Sequence, residues 1–437
     1  MRNTEKRGLV WFRNDLRVND QKSLSAATQE CSNVFGVVCI DPSLFKLTPW
    51  GFKKTEHFRA QFLIETLIQL KEELHRLNIS LIVEYRDPIV GVVHWANELK
   101  CTDLYFQNEW TQEEFNVEQC ITSELYEKLR FHKHFDQFLF HPDDLPFSLN
   151  QLPSIFTEFR KKCENNVSVR NCIKDVQPMN QSNLLKEDLP VPTLFDLGFS
   201  RRTIHPQTAF PFSGGTSSAI KRMIAYFWTT KKLSYYKQTR NGLMGKDYSS
   251  KFSPWLANGS LSARQIYWEV RRYEKEVEKN DSTYWLIFEL IWRDYFKYIS
   301  MLHGNSIFFL GGILSKNYTW NTDLQLFQNW CNGNTKEPFV NAAMIELQKT
   351  GWMSNRGRQN TASYFAKNMQ MDWRMGAAYF EAYLLDYDVH SNYGNWMYVA
   401  GVGNDPRDRV FNVRLQAERY DPQGKFQRLW NQNELFE

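Results

Sequence analysis

The sequence predicts an α/β domain followed by an all-α domain: an N-terminal doubly wound parallel sheet, then a helical body. Residues 1–140 alternate short apolar runs with helical patterns, and beyond about residue 218 strand-like runs disappear. The 437 residues also exceed what one hydrophobic core usually spans, which favours two domains.

In chain order, "GLVWF" (8–12), "VFGVVCI" (34–40), "ISLIVEY" (79–85) and "DLYFQ" (103–107) read as buried parallel strands. Between 55 and 77, Phe58, Phe62, Leu63, Leu67, Leu70, Leu74 and Leu77 form one apolar helical stripe. No GxGxxG follows a strand, so any ligand of this domain is bound without the common dinucleotide fingerprint. Asn108 and Glu109, in "YFQNEW" (105–110), close a strand, where open α/β sheets bind ligands; a plain strand-to-helix turn is the other reading. Residues 141–217 hold eight of the 15 prolines and no sustained period, as expected of a connector with short helices at most. Residues 218–437 form the helical domain, with helices expected over 262–279, 281–302, 338–350, 359–370 and 374–386. The second opens on Asp281 as its N-cap and is apolar on nearly every side, hence buried. "DYDVHSNYGNW" (386–396) has neither a strand's alternation nor a helix's period and reads as a loop carrying turns or chemistry.

Aromatic residues make up 15% of the chain, a density that suits large buried surfaces or stacking on planar ligands. A net charge of +4 permits a nucleic-acid partner without demanding one. Seven cysteines without a CxxC spacing read as reduced thiols in a cytoplasmic protein, with no metal site expected. Gly8–Phe12 is too short for a signal-peptide core, and charges interrupt the 284–302 stretch, so no membrane span is expected.

Glu289 lies inside the buried helix, so it either pairs with Arg293 four residues on or meets a ligand. Segment 221–251 interleaves eight Lys or Arg with aromatics, a texture for phosphate contacts near stacking surfaces or for a solvated face. Within it, "DYSSKFSPW" (247–255) clusters hydroxyls and backbone N–H groups that suit a pyrophosphate, although serine-rich turns are common. "TGWMSNRGRQN" (350–360) sets Asn355, Arg356, Arg358 and Gln359 at a helix mouth, where Arg358 can pair with Asp386 or Asp388. By themselves Trp320, Trp373 and Trp396 read as core.

Taken together, "VWFRNDLRVND" (10–20), "TRNGLMGKDYSSKFSPWLANG" (239–259), "FELIWRDYF" (288–296), "GWMSNRGRQN" (351–360), "DWRMGAAYFE" (372–381) and "DYDVHSNYGNW" (386–396) make the chain resemble the photolyase/cryptochrome flavoproteins nearly end to end. "TRNG" and "RGRQN" resemble the cryptochrome-DASH branch in particular.

The resemblance implies an FAD held in the helical domain that, when reduced and excited by blue light, gives one electron to a cyclobutane pyrimidine dimer and takes it back after the dimer splits. It implies that Tyr236, Ser249, Ser250, Ser253, Asn355, Arg358, Asp386 and Asp388 line the FAD pocket, with Asn392 at the flavin N5. Asn there favours a photolyase-like redox cycle; plant-type cryptochromes carry Asp. Trp396, Trp373 and Trp320 match an electron relay in that order, and Glu289 and Trp292 match the residues that hold the flipped dimer. Gln359 and Tyr398 replace the Met and Trp of many dimer photolyases, which makes the pocket more polar. The implied substrate is single-stranded or looped DNA carrying pyrimidine dimers, RNA being a further candidate partner, and the implied oligomeric state is a monomer. His at the positions of Asn355 and Gln359 marks six-four photolyases, and neither is present. Glu109 matches the region that contacts a 5,10-methenyltetrahydrofolate antenna. The departures are His390, where a small residue or Cys is usual, and "GGTSS" (214–218), where Gly-Gly-Glu is usual; no long signalling-type tail follows the helical domain. The alternative reading is a blue-light photoreceptor with little repair activity.

Overall fold

The computed structural model describes residues 6–431 except 188 and 406. Five strands, β1 (Arg7–Trp11), β2 (Asn33–Ile40), β3 (Leu81–Tyr85), β4 (Asp103–Gln107) and β5 (Arg130–His134), form one parallel sheet of order β3-β2-β1-β4-β5. Helices α1 (Lys22–Glu30), α2 (His57–Arg76), α3 (Pro88–Glu98) and α4 (Gln112–Leu125) join them. Alternate strand residues feed two cores. Val10, Val34, Val38 and Leu81 pack with α1 and α2, while Leu9, Phe35, Val37, Leu104 and Phe106 pack on the other face. The chain leaves β1 toward β3 and returns on the other side at β4, so a crevice opens between the carboxyl ends of β1 and β4.

Strand β5 was not expected, because "RFHKH" carries no apolar signal. It is an edge strand held by charge: Arg130 and His132 both reach the buried Asp103 carboxylate at 2.9 Å, and His132 stacks on Tyr105 at 4.2 Å.

The connector carries α5 (Phe156–Asn166) and packs on both halves. The Asn183 side chain bonds Val34 N (3.0 Å) and Val34 O (2.9 Å), and Phe156 reaches the helical body. There follow α6 (Thr216–Ile224), α7 (Tyr236–Thr239), α8 (Ser253–Ala257), α9 (Ala263–Glu276), α10 (Asp281–His303), α11 (Leu324–Cys331), α12 (Pro338–Thr350), α13 (Asn355–Ser363), α14 (Trp373–Tyr383), α15 (Val389–Ala400), α16 (Val413–Tyr420) and α17 (Lys425–Asn431).

Three expectations change. The N-cap of α10 is Asn280, not Asp281; its side chain takes the Ser282 and Thr283 N–H groups in a capping box. Helix α13 starts at Asn355, four residues before the predicted start, because Ser354 caps it, and it passes into a π turn at Tyr364–Asn368. The 386–396 stretch is not a loop: from Val389 it is α15, capped by Asp388, which accepts from Ser391 N at 2.8 Å. Gly394 serves no turn there. A Cβ at that position would lie 2.3 Å from the Phe296 ring, so the glycine lets α15 close onto α10.

A buried charge network ties the sheet to the helices. Arg264 at the start of α9 pairs with Asp20 (2.8 Å) and Asp136 (2.5 Å), and Arg17 pairs with Asp136 at 3.0 Å.

Candidate functional site

The serine-rich loop is shaped by Arg222, a residue the motif reading did not single out. From α6 its guanidinium donates to the carbonyls of Lys246, Ser249 and Ser250, each at 3.0 Å, and to Asp247 at 2.7 Å. The loop's carbonyls are thereby turned toward Arg222. Ser250 is buried, Ser249 and Ser253 are half-buried, and Tyr236 is buried in the core cluster that holds Tyr248 and Phe252 of the same loop region. Lys251 follows with a left-handed backbone (φ 67°). Its Nζ lies 3.2 Å from the Tyr248 ring centroid and 4.4 Å from that of Trp352, and it has no hydrogen-bond partner. Burial drives this ammonium well below its ordinary pKa. A buried amine without a hydrogen-bond partner takes up its proton most readily beside an anion, so the position suits an anionic ligand.

Facing it, Arg358 on α13 bonds Met353 O (3.0 Å) and pairs with Asp386 at 2.9 Å, which leaves Asp386 Oδ1 without a partner. Of the two partners open to Arg358, Asp386 takes the pair, and Asp388 joins Lys297 instead at 2.9 Å. On α15 the Asn392 amide N–H donates to Ala377 O at 3.0 Å, so its carbonyl oxygen is the free end. Asn355, at the start of α13, is exposed.

A second cluster adjoins this one. Glu289 does not pair with Arg293, which bonds Gln137 O (2.5 Å) and Leu256 O (3.2 Å). Its partner is Arg240, from the turn after α7, and the Glu289 side chain keeps 31% exposure. Burial raises the Glu289 carboxyl and Arg240 opposes the rise. One turn back, Trp285 lies under Lys237 and Arg240 at 4.7 and 5.5 Å from its ring centroid. Its place on the face of Glu289 was readable from the i, i+4 spacing. Arg356 binds Asn241 (3.0 Å) and the Gln359 carbonyl (2.9 Å), which leaves the Gln359 amide N–H free to donate. Phe156 stacks on one face of Trp292 at 3.6 Å, and Tyr398 meets it edge-on at 6.2 Å.

The three relay candidates lie on neighbouring segments. Trp396 is buried against α14, where a Cβ on Gly376 would come within 2.2 Å of it. Trp373 opens α14, its indole bonded to Leu310 O at 3.0 Å. Asn321 N bonds Gln370 O (2.6 Å) and Asp372 N bonds Asn321 O (2.9 Å), which sets the half-buried Trp320 beside the start of α14.

Between sheet and helices runs a cleft of about 900 Å³, lined at the strand ends by Arg13, Asn14 and Glu109 and opposite by Lys297, Asp388 and His390. Burial raises the Glu109 carboxyl, which takes the Gln107 amide at 2.8 Å. His390 stacks on Trp110 at 4.6 Å and shares a 2.6 Å hydrogen bond with Ser300.

Residues 285–433 match the family described as the FAD binding domain of DNA photolyase, and residues 8–180 match DNA photolyase. A Synechocystis protein named Cryptochrome DASH is 44% identical over 97% of this chain and 86% of its own length. An Arabidopsis thaliana protein of that name, chloroplastic/mitochondrial, is 42% identical over 97% and 75%. The chain belongs to the photolyase/cryptochrome family. Its branch is cryptochrome DASH, and the solved Synechocystis cryptochrome superimposes with a TM-score of 0.92 at 43% identity, covering 98% of this chain and 89% of that one.

An FAD-binding domain of this family fits the residues present. Lys251 Nζ and Asp386 Oδ1 are buried polar atoms without partners, and the hydroxyls of Ser249, Ser250 and Ser253 sit in the same loop region. Lys251 and the loop serines would hold the anionic diphosphate, and Arg358, Asp386 and Asn392 would hold the polar edge of the flavin. Among the described residues no helix is long and apolar enough to cross a membrane.

Proposed function

We propose that this family member is a blue-light-driven lyase that reverses cyclobutane pyrimidine dimers, preferentially in single-stranded or looped DNA. Bound FAD supplies the light absorption and the one-electron chemistry; the polypeptide holds, orients and shields the reactants. The observation that carries this reading is the pairing of two clusters across α10 and α13. Arg240 pairs with Glu289, Arg356 bonds Gln359 and Tyr398 meets Trp292 edge-on in one, while Arg358 pairs with Asp386 in the other; in this reading the first receives the lesion and the second, with Asn392, the flavin.

Each residue has a part. Glu289 receives the N–H edges of the flipped pyrimidines, with Arg240 holding the carboxylate in place. Gln359, its carbonyl engaged by Arg356, donates its amide N–H to a base carbonyl. Trp292, backed by Phe156, packs on the dimer in this reading. In this reading Asn392 presents its carbonyl oxygen to a flavin N–H. Trp396, Trp373 and Trp320 pass electrons inward from the surface.

The polar pair Gln359 and Tyr398 grips apolar bases weakly. Extracting a dimer from a duplex costs a few kcal/mol of unstacking and unpairing, which single strands do not require. The cleft at Glu109 is the proposed seat of a methenyltetrahydrofolate antenna. The test is blue-light repair of one thymine dimer in matched single-stranded and duplex oligonucleotides, with the flavin reduced beforehand. Strong single-strand and weak duplex repair is expected. Equal duplex repair would overturn the pocket argument. Repair of neither, with FAD bound and reducible, would reassign the protein as a blue-light photoreceptor.

A further inference from the structure

Glu346, on α12, has no part in the function proposed above. It is 1% exposed, and its Oε2 has no hydrogen-bond partner. Lys251 from the serine-rich loop and Arg358 from α13 face it. Tyr248 and Asp386 share the same field, and Arg222 stands behind Lys251. Three polar atoms of these charge-bearing side chains are thus buried without a hydrogen-bond partner: Lys251 Nζ, Glu346 Oε2 and Asp386 Oδ1.

The charges already balance in the protein alone, with Arg358 matched to Asp386 and Lys251 set against Glu346. A ligand that brings a diphosphate to Lys251 adds negative charge. An ionised Glu346 would then be a buried carboxylate with no partner and a like-charged neighbour, a state that proteins avoid by protonation. The carboxylic acid is instead an O–H donor.

Resting on the FAD reading above, we propose that Glu346 keeps its proton in the holoprotein and donates that O–H to the anionic dinucleotide, so that losing the proton loosens the cofactor. The proton goes to solvent, and the carboxylate left behind repels the ligand. Burial pushes the Glu346 carboxyl up to about 8, against the pull of Lys251 and Arg358. The anionic ligand raises it further, so the free protein loses its proton first. Between the two titrations FAD affinity falls by about tenfold per pH unit; below them it is constant.

The test follows FAD release from the holoprotein, by the fluorescence of free FAD, from about pH 7 to about pH 9.5, with circular dichroism confirming the fold. The wild type should lose affinity over the upper part of this range. Glu346→Gln keeps a neutral donor and should bind FAD with a flat profile. Glu346→Met keeps the volume without a donor, and should be flat and weaker. A flat wild type would overturn the proposal, as would the same slope in Glu346→Gln, which would assign it to Lys251 losing its charge. Wild-type affinity in Glu346→Met would remove the donor role. A protein that binds FAD at no pH would overturn the cofactor reading and this proposal with it, an outcome distinct from tight binding without slope.

Discussion

At residue 289 the helical period offers Arg293 as a partner, yet the guanidinium that arrives is Arg240, 49 residues earlier in the chain. Arg293 is used instead to tie α10 to carbonyls of neighbouring segments. Glu289 is thus held at an opening by a residue from another element, as suits a carboxyl that meets a ligand. Glu289→Ala should leave FAD bound, by flavin absorbance per protein, and weaken lesion binding by about tenfold or more, the loss expected for a hydrogen bond to a charged group. Repair at the wild-type level would remove Glu289 from its assigned role. Asn392 follows the same logic: Ala377 O takes its N–H, so the tertiary contact decides which end of the amide is left free.

At the scale of elements, α15 does the positioning. It carries Asn392 and Trp396, and its seat depends on two close approaches, Gly394 on Phe296 and Gly376 of α14 on Trp396. Gly394→Ala would place a Cβ 2.3 Å from a ring packed in the core, so α15 or Phe296 must move. The expected cost is about 1–3 kcal/mol, as for overpacking in other cores. Thermal unfolding should shift down by a few degrees, and flavin should be released before the main transition because Asn392 moves with the helix. A variant that melts and holds flavin as the wild type does would show that the helix does not depend on this approach. His390 lies on the cleft side of α15 beside Trp110, so this residue belongs to the wall of the cleft between sheet and helices.

For the whole molecule, the junction of sheet and helices rests on Arg17, Asp20, Asp136 and Arg264, all buried. Arg264→Ala leaves two buried carboxylates short of a cation and should cost about 3–5 kcal/mol, read as a lowered denaturation midpoint. Burial alone would raise Asp136, but Arg17 and Arg264 outweigh it and hold the carboxyl below its ordinary value. Lys297 does the same for Asp388, overcoming its burial. The folded-state values are depressed, so this stability is present above about pH 4, the ordinary aspartate range, and is lost as pH falls through the folded values. Melting temperature should fall below about pH 4 as these pairs are lost, after a rise from about pH 7 to about pH 5 as the raised Glu346 carboxyl keeps a proton that the unfolded chain gives up. A steady melting temperature down to about pH 3 would show that these pairs contribute little.

Strands β1 to β4, the buried length of α10 and the bounds of α12 were legible in the chain itself, because burial on both faces of a parallel sheet or all round a helix leaves a continuous apolar signal. The six motifs in order were enough to name the family, and with it most of the candidate pocket residues. What the chain could not show are features whose cause lies far away in sequence. β5 forms because Asp103 and Tyr105 hold its polar side chains, and 389–396 is helical because Asp388 caps it and Gly394 lets Phe296 approach. Glu289 turns to Arg240, and Lys251 Nζ, Glu346 Oε2 and Asp386 Oδ1 are buried without hydrogen-bond partners. Periodicity reports which side of an element is buried. The groups that meet there, and whether their charges find partners, are decided when the elements pack.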